Sequence, residues 1–264
     1  MKKRRLEESA ALLRDRADGD IDVAIMLGSG LAGAVFGVER SKSTPYKKLP
    51  GMPERMASGH SGVALTGRWG GKRIVAFIGR AHLYQGYEPA EVVFPVALAH
   101  AAGARTFIVT NAAGGLNTDF SVGDVMMIAD QLNFTGTSIP ASKDHDPFVN
   151  MTDAYTPHLR AHAHGAAPAL GIRLREGTYV GLRGPAYETA AEVRFYRNAG
   201  GDAIGMSTVL ETIFARFLGM GVLGISLISN VAAAKDTNHA DVTAIGHERG
   251  GAIADLIADF LPKL

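Results

Sequence analysis

The sequence predicts an α/β fold, a single domain over 1–264 with a central mixed β-sheet flanked by helices. Three observations predict it. Short apolar runs of strand length alternate with helical patterns along most of the chain. Two β-rich runs, Gly62–Trp69 and Arg73–Gly79, flank Gly70-Gly71 as a tight antiparallel hairpin, which makes the sheet mixed. No repeat, low-complexity tract or linker-like stretch divides the 264 residues.

Taken in order, Asp22–Leu27 reads as a short strand that ends at Gly28-Ser29-Gly30. Pro89–Ala102 follows the hairpin as a helix, with Pro89 suited to its first turn. Thr106–Thr110 is β-branched and buried, and Asn111-Ala112-Ala113-Gly114-Gly115 follows it. Asp124–Ala129 and Tyr179–Leu182 are further strands. Helices Glu188–Asn198 and Thr208–Leu218 bracket the short strand Ala203–Met206, and Val222–Ser229 is a buried run ending at Asn230. A last helix, about Asp241 to Phe260, is weakened at Gly246, Gly250 and Gly251. Residues 136–151 form a long loop.

Composition narrows the function classes. Lys and Arg (27) balance Asp and Glu (26), so no basic face for nucleic acid and no field for a membrane surface is expected. The absence of cysteine removes disulfides and thiol catalysis. The basic start at Lys2–Arg5 runs into Glu7 and Glu8 with no apolar stretch behind it, and no run of ~18 uncharged apolar residues occurs. A cytoplasmic protein is the resulting expectation. His158 and His162 share a helical face, but no acidic residue completes a zinc motif, so no metal is expected.

The polar and glycine-rich segments follow strand ends, where ligands of open α/β sheets bind. Each can be read in two ways. Gly28-Ser29-Gly30 is either a plain turn or an anion cradle. Arg80 and His82 are either surface groups or two donors for phosphate oxygens. The 111–115 run either packs under a helix or lets backbone amides approach a ligand. Ser207 either caps a helix or donates to an anion. Glu188 either complements a helix dipole or accepts from a base edge. Asn230 ends an apolar strand, where its amide must find partners in the protein or in a ligand.

Collected in order, eight segments resemble the trimeric, low-molecular-mass purine nucleoside phosphorylases. They are LGSGL (27–31), Gly59-His60-Ser61-Gly62, GRAHLYQGY (79–87), VTNAAGGLN (109–117), EGTYVGLRGPAYET (176–189), GMSTVLE (205–211), SLISN (226–230) and NHADV (238–242). The resemblance covers nearly the whole chain. It implies a nucleoside phosphorylase-like fold and reversible phosphorolysis of 6-oxopurine nucleosides, with inorganic phosphate as co-substrate and no cofactor.

It implies phosphate contacts from Ser29, His60, Arg80, His82, Ala112 and Ser207, and ribose contacts from Tyr84, Met206 and His239. Ala113, Gly114, Tyr187, Glu188 and Asn230 would form the base pocket. Asn230, Glu188 and His82 would carry the catalytic work. Phe148 matches an aromatic that reaches a neighbour's active site, so a homotrimer is implied. Departures from the family pattern stand at Gln85, where an acid is usual, and at Ala81, Tyr187, Leu210 and Ala240-Asp241.

A 5′-methylthioadenosine phosphorylase would be expected to carry Asp in place of Asn230. A hydrolase would not need Arg80 and its neighbours. A binding protein without activity would not need the full set of polar groups. A dinucleotide site is disfavoured because no GxGxxG follows the first strand.

Overall fold

The computed structural model describes residues 3–54, 61–139, 147–233 and 239–264, with the His239 side chain outside that description. In chain order the elements are α1 (Lys3–Ala17), β1 (Val23–Leu27), β2 (Glu39–Pro45), β3 (Val63–Trp69), β4 (Lys72–Ile78), α2 (Pro89–Val92), α3 (Phe94–Ala101) and β5 (Thr106–Gly115). They continue with β6 (Val125–Phe134), α4 (Pro157–Ala166), β7 (Leu174–Leu182), α5 (Ala190–Asn198), β8 (Ala203–Gly205), α6 (Val209–Phe217), β9 (Gly221–Val231) and α7 (His239–Phe260).

The strands form one nine-stranded mixed sheet in the order β2-β3-β4-β1-β5-β8-β7-β6-β9. A further parallel pairing of β5 with β9 closes β5, β8, β7, β6 and β9 into a ring. Gly70 and Gly71, both at positive φ, make the turn between antiparallel β3 and β4. Strand alternation splits the core between the two faces. From β1, Ala24 and Met26 join the cluster under α1, α3 and α6, while Val23, Ile25 and Leu27 join the one under α4 and α7.

Four differences from the sequence reading have physical causes. The helix expected over Pro89–Ala102 is two, α2 and α3. It breaks at Val93 (φ −92°, ψ 0°), and Pro95, which has no N–H to donate, stands in the first turn of α3. Asn111–Gly115 is not a turn after the strand but the second half of β5, held there by pairing with β9 on one side and β8 on the other. α5 starts at Ala190 rather than Glu188, because Thr189 is its N-cap and forms a reciprocal capping box with Glu192.

α1 and β2 are the fourth difference, since no element was expected in either stretch. Only Ser9, Ala10, Leu13 and Ala17 of α1 are buried, a narrow stripe hidden among charged residues. β2 is mostly exposed and pairs only with β3, so it carries little hydrophobic pattern.

α7 runs unbroken through its glycines. A β-carbon on Gly246 would stand 2.7 Å from the Gly30 Cα, and one on Gly30 (φ +74°) 2.5 Å from the Thr243 carbonyl oxygen. Backbone therefore packs on backbone, and the helix braces the turn that follows β1.

Candidate functional site

The carboxyl ends of β1, β4, β5, β8 and β9 open onto one cleft. Ser29, Arg80, His82, Tyr84, Ala112, Ala113, Gly114, Tyr187, Glu188, Met206, Ser207 and Asn230 all line it. Twelve of the residues singled out in the sequence thus meet at one place. His60 lies outside the described residues, and His239 opens α7 with its side chain outside the description. Phe148 is 89% exposed and is not among the cleft-lining residues.

Arg80 organises one end of the cleft. It is not a surface arginine: its side chain is 2% exposed. Its Nη2 donates to the Thr110 carbonyl oxygen over 2.6 Å. Its Nη1 donates to Ser207 Oγ over 2.8 Å and to Thr208 Oγ1 over 3.3 Å. The Glu211 carboxylate lies 3.6 Å from the same Nη1. Ser207 does not cap α6, because Thr208 is the N-cap residue, and its hydroxyl instead accepts from Arg80. Thr208 sits at φ +73°, a strained backbone for a β-branched residue, and is tied down by Asn111 Nδ2 over 2.9 Å.

Thr110 also couples the turn after β1 to β5. Its Oγ1 accepts from the Gly28 N–H (3.2 Å) and donates to the Met26 carbonyl oxygen (3.2 Å). A β-carbon at Gly28 would stand 2.7 Å from the Asn111 Cα, so glycine is required for that approach.

His82 is buried and its ring stacks on Tyr84, with centroids 4.7 Å apart. The Gln85 Oε1 accepts from the His82 backbone N–H (2.9 Å) and lies 3.3 Å from His82 Nδ1. A neutral amide therefore occupies the position where the family pattern carries an acid. Burial holds the Tyr84 phenol above its usual range, with Tyr187 adding to the rise and Arg80 opposing it.

The other end of the cleft presents an acceptor and an amide. Glu188 is half-buried, and burial raises its carboxyl above the usual carboxylate range. Its own backbone N–H opposes the rise, and the Glu192 charge adds to it. Asn230 is also half-buried, and its Oδ1 accepts from Ser229 Oγ over 2.9 Å. The register between β5 and β9 slips here: Ala113 faces Ile228, whereas Gly114 faces Asn230. Ser229 is the extra residue of this bulge, which sets the end of β9 against the cleft. Tyr187 is 46% exposed at the rim.

Sequence reasoning missed several participants. Asn111, Ile204, Ser229 and Val242 line the cleft, while Thr110, Thr208 and Glu211 stand behind it. Thr110 and Asn111 gave one usable signal, polar residues at the end of an otherwise apolar strand. Glu211 gave none, because a helical glutamate ordinarily faces solvent. Among the described residues no three of His, Cys, Asp or Glu gather as a metal site would require, and no helix is long and apolar enough to cross a membrane.

Comparison with known proteins identifies the family. The model of the phosphorylase superfamily matches residues 22–262. A purine nucleoside phosphorylase of Mycobacterium leprae is 45% identical over 246 residues, 92% of this chain and 89% of that protein. The bovine (Bos taurus) purine nucleoside phosphorylase is 41% identical over 85% of this chain and 81% of its own. The crystal structure of Schistosoma mansoni purine nucleoside phosphorylase in complex with adenosine superposes with a TM-score of 0.92 at 30% identity, covering 99% of this chain and 98% of that one. An isoform 2 structure from the same organism, in complex with cytosine and ribose-1-phosphate, gives 0.91 at 30% identity, over 99% and 97% of the two chains. The chain belongs to the phosphorylase superfamily and, within it, to the purine nucleoside phosphorylases.

Proposed function

We propose that the chain catalyses the reversible phosphorolysis of 6-oxopurine ribonucleosides and deoxyribonucleosides, such as inosine and guanosine. The products are the free base and (deoxy)ribose 1-phosphate. The observation that carries this reading is the polarity of the cleft. A buried guanidinium with serine hydroxyls stands at one end, and a carboxylate with a carboxamide at the other.

Phosphate is assigned to Ser29, Arg80, His82, Ala112 and Ser207, with His60 in the same role by resemblance. Ribose is assigned to Tyr84 and Met206, and His239 by resemblance. The base is assigned to Ala113, Gly114, Tyr187, Glu188 and Asn230. Phosphate itself attacks the anomeric carbon as the purine leaves, so no protein nucleophile is needed. The sugar passes through an oxocarbenium-like state, as in other glycosidic cleavages. The guanidinium end holds phosphate in line, which is catalysis by orientation. The Asn230 amide, donating at N7 and O6, and Glu188, accepting from N1–H, stabilise the charge that develops on the leaving base. Every step is supplied by side chains and the co-substrate, without a metal or organic cofactor.

Two further assignments belong to the same reading. A homotrimer is part of this reading by resemblance, with the exposed Phe148 as the aromatic that would reach a neighbour. A cytoplasmic location is part of the same reading.

Purified protein with inosine, with and without inorganic phosphate, tests the reading through release of hypoxanthine. The expected result is phosphate-dependent release. Release without phosphate would make the protein a hydrolase, and no release from any purine nucleoside would make it a binding protein.

A further inference from the structure

We propose that Glu211 is the internal counter-ion of Arg80 and sets, by charge, how tightly the site holds phosphate. The inference rests on the reading of Arg80 as a phosphate ligand. Glu211 is 1% exposed, in the first turn of α6, and is not among the cleft-lining residues. It therefore stands behind Arg80 rather than beside a substrate. Among the described residues no side-chain hydrogen bond reaches its carboxylate, which faces the backbone N–H groups of Thr208 and Glu211 at the start of α6 without forming a well-aligned bond to either.

Three neutral acceptors, the Thr110 carbonyl and the Ser207 and Thr208 hydroxyls, already orient the guanidinium. The Glu211 carboxylate, 3.6 Å from Nη1, adds charge rather than a hydrogen bond. A buried guanidinium without a counter-ion is costly, and Glu211 is the one carboxylate recorded in an ion pair with it among the described residues. Other titratable groups near Glu211 are the phenols of Tyr155 and Tyr179, both fully buried and both held above the usual phenol range, and His82, which lines the same small cavity beside the cleft. Burial likewise raises the Glu211 carboxyl, against the pull of Arg80 first and of the Glu211 and Thr208 backbone N–H groups after it.

An anion arriving from the cleft side competes with Glu211 for one positive charge. Removing the Glu211 charge while keeping its shape should tighten phosphate binding and leave the resting protein dependent on phosphate for stability.

Glu211→Gln tests this, with turnover measured against phosphate and against inosine, and with Tm read at several phosphate concentrations. The expected result is a KM for phosphate lowered about tenfold and a KM for inosine within about twofold of wild type. Without phosphate Tm should fall, and the rise on adding phosphate should exceed that of the wild type by about 5 °C or more. An unchanged or raised KM for phosphate overturns the proposal. So does a loss of Tm that phosphate does not restore, or a variant that fails to fold even in phosphate; either outcome makes Glu211 a structural strut. If wild-type turnover needs no phosphate, the functional reading fails by itself. The comparison of phosphate-induced Tm shifts still decides the role of Glu211.

Discussion

Arg80 Nη1 donates to Ser207 Oγ over 2.8 Å, and this bond, with a longer one from the same nitrogen to Thr208 Oγ1, joins the turn after β4 to the turn after β8. A lysine keeps the charge at position 80 but cannot also reach the Thr110 carbonyl and the Thr208 hydroxyl. Arg80→Lys should lower kcat/KM for phosphate about 100-fold, roughly 3 kcal/mol, with a smaller change in the KM for inosine. Steady-state kinetics with each substrate varied in turn would check it, and equal losses for both substrates would count against a phosphate role.

Glu188 predicts a pH dependence. The ionised carboxylate is the form that accepts from N1–H, and burial holds its carboxyl above the usual range. Activity on inosine should therefore fall, as pH drops, at a higher pH than the ~4.3 of an ordinary glutamate. Glu188→Gln should remove that acid limb and lower kcat/KM about 100-fold. For stability the sign is opposite to that of a paired acid. A raised folded-state value contributes stability at low pH that is lost as pH rises through it. Glu188→Gln should therefore leave Tm at neutral pH unchanged or higher, as thermal melts would show.

Asn230 predicts the choice of base. Its amide can donate to a 6-oxo group, whereas a carboxylate at the same place would accept from a 6-amino group. Asn230→Asp should raise the ratio of adenosine to inosine turnover about 100-fold, mostly through loss on inosine. Adenosine is the necessary control in the wild type as well, since the Schistosoma relative was crystallised with it. Equal wild-type turnover of the two nucleosides would remove the specificity assigned to Glu188 and Asn230.

Gly246 carries a prediction against the usual trend. In an ordinary helix Gly→Ala stabilises by about 1 kcal/mol. Here the added carbon would meet the Gly30 backbone at 2.7 Å, so Gly246→Ala should cost about 1–3 kcal/mol. The same displacement moves Ser29, so the KM for phosphate should rise in step with the fall in Tm.

Thr189 gives the contrasting case of a local cap. Its side chain accepts from the Glu192 N–H at the start of α5. Thr189→Ala should cost about 1 kcal/mol, or roughly 2–4 °C in Tm, and leave the KM for phosphate unchanged. A large change in that KM would show that the two ends of the cleft are coupled.

What the sequence determined by itself was the alternation of elements and the chemistry of the strand ends. β1, the β3–β4 hairpin and the apolar run of β9 were legible because burial on both faces leaves unbroken apolar residues, and because Gly70-Gly71 accommodates positive φ where other residues are strained. Ser29, Arg80, His82 and Asn230 stood out because each is a polar group close beyond such a run, and Glu188 because it stands at a helix start; their order along the chain matched a family pattern. Only the tertiary structure decided that 111–115 is strand, since that depends on β8 and β9 pairing from far along the chain. Only it placed Ser207 under Arg80 instead of at a helix cap, kept α7 whole across Gly246, and put Glu211 in the interior. Local propensity reports what a segment does alone. A backbone contact, a bulge at Ser229 or an ion pair over 131 residues of sequence (211 − 80) exists only once distant parts of the chain have packed.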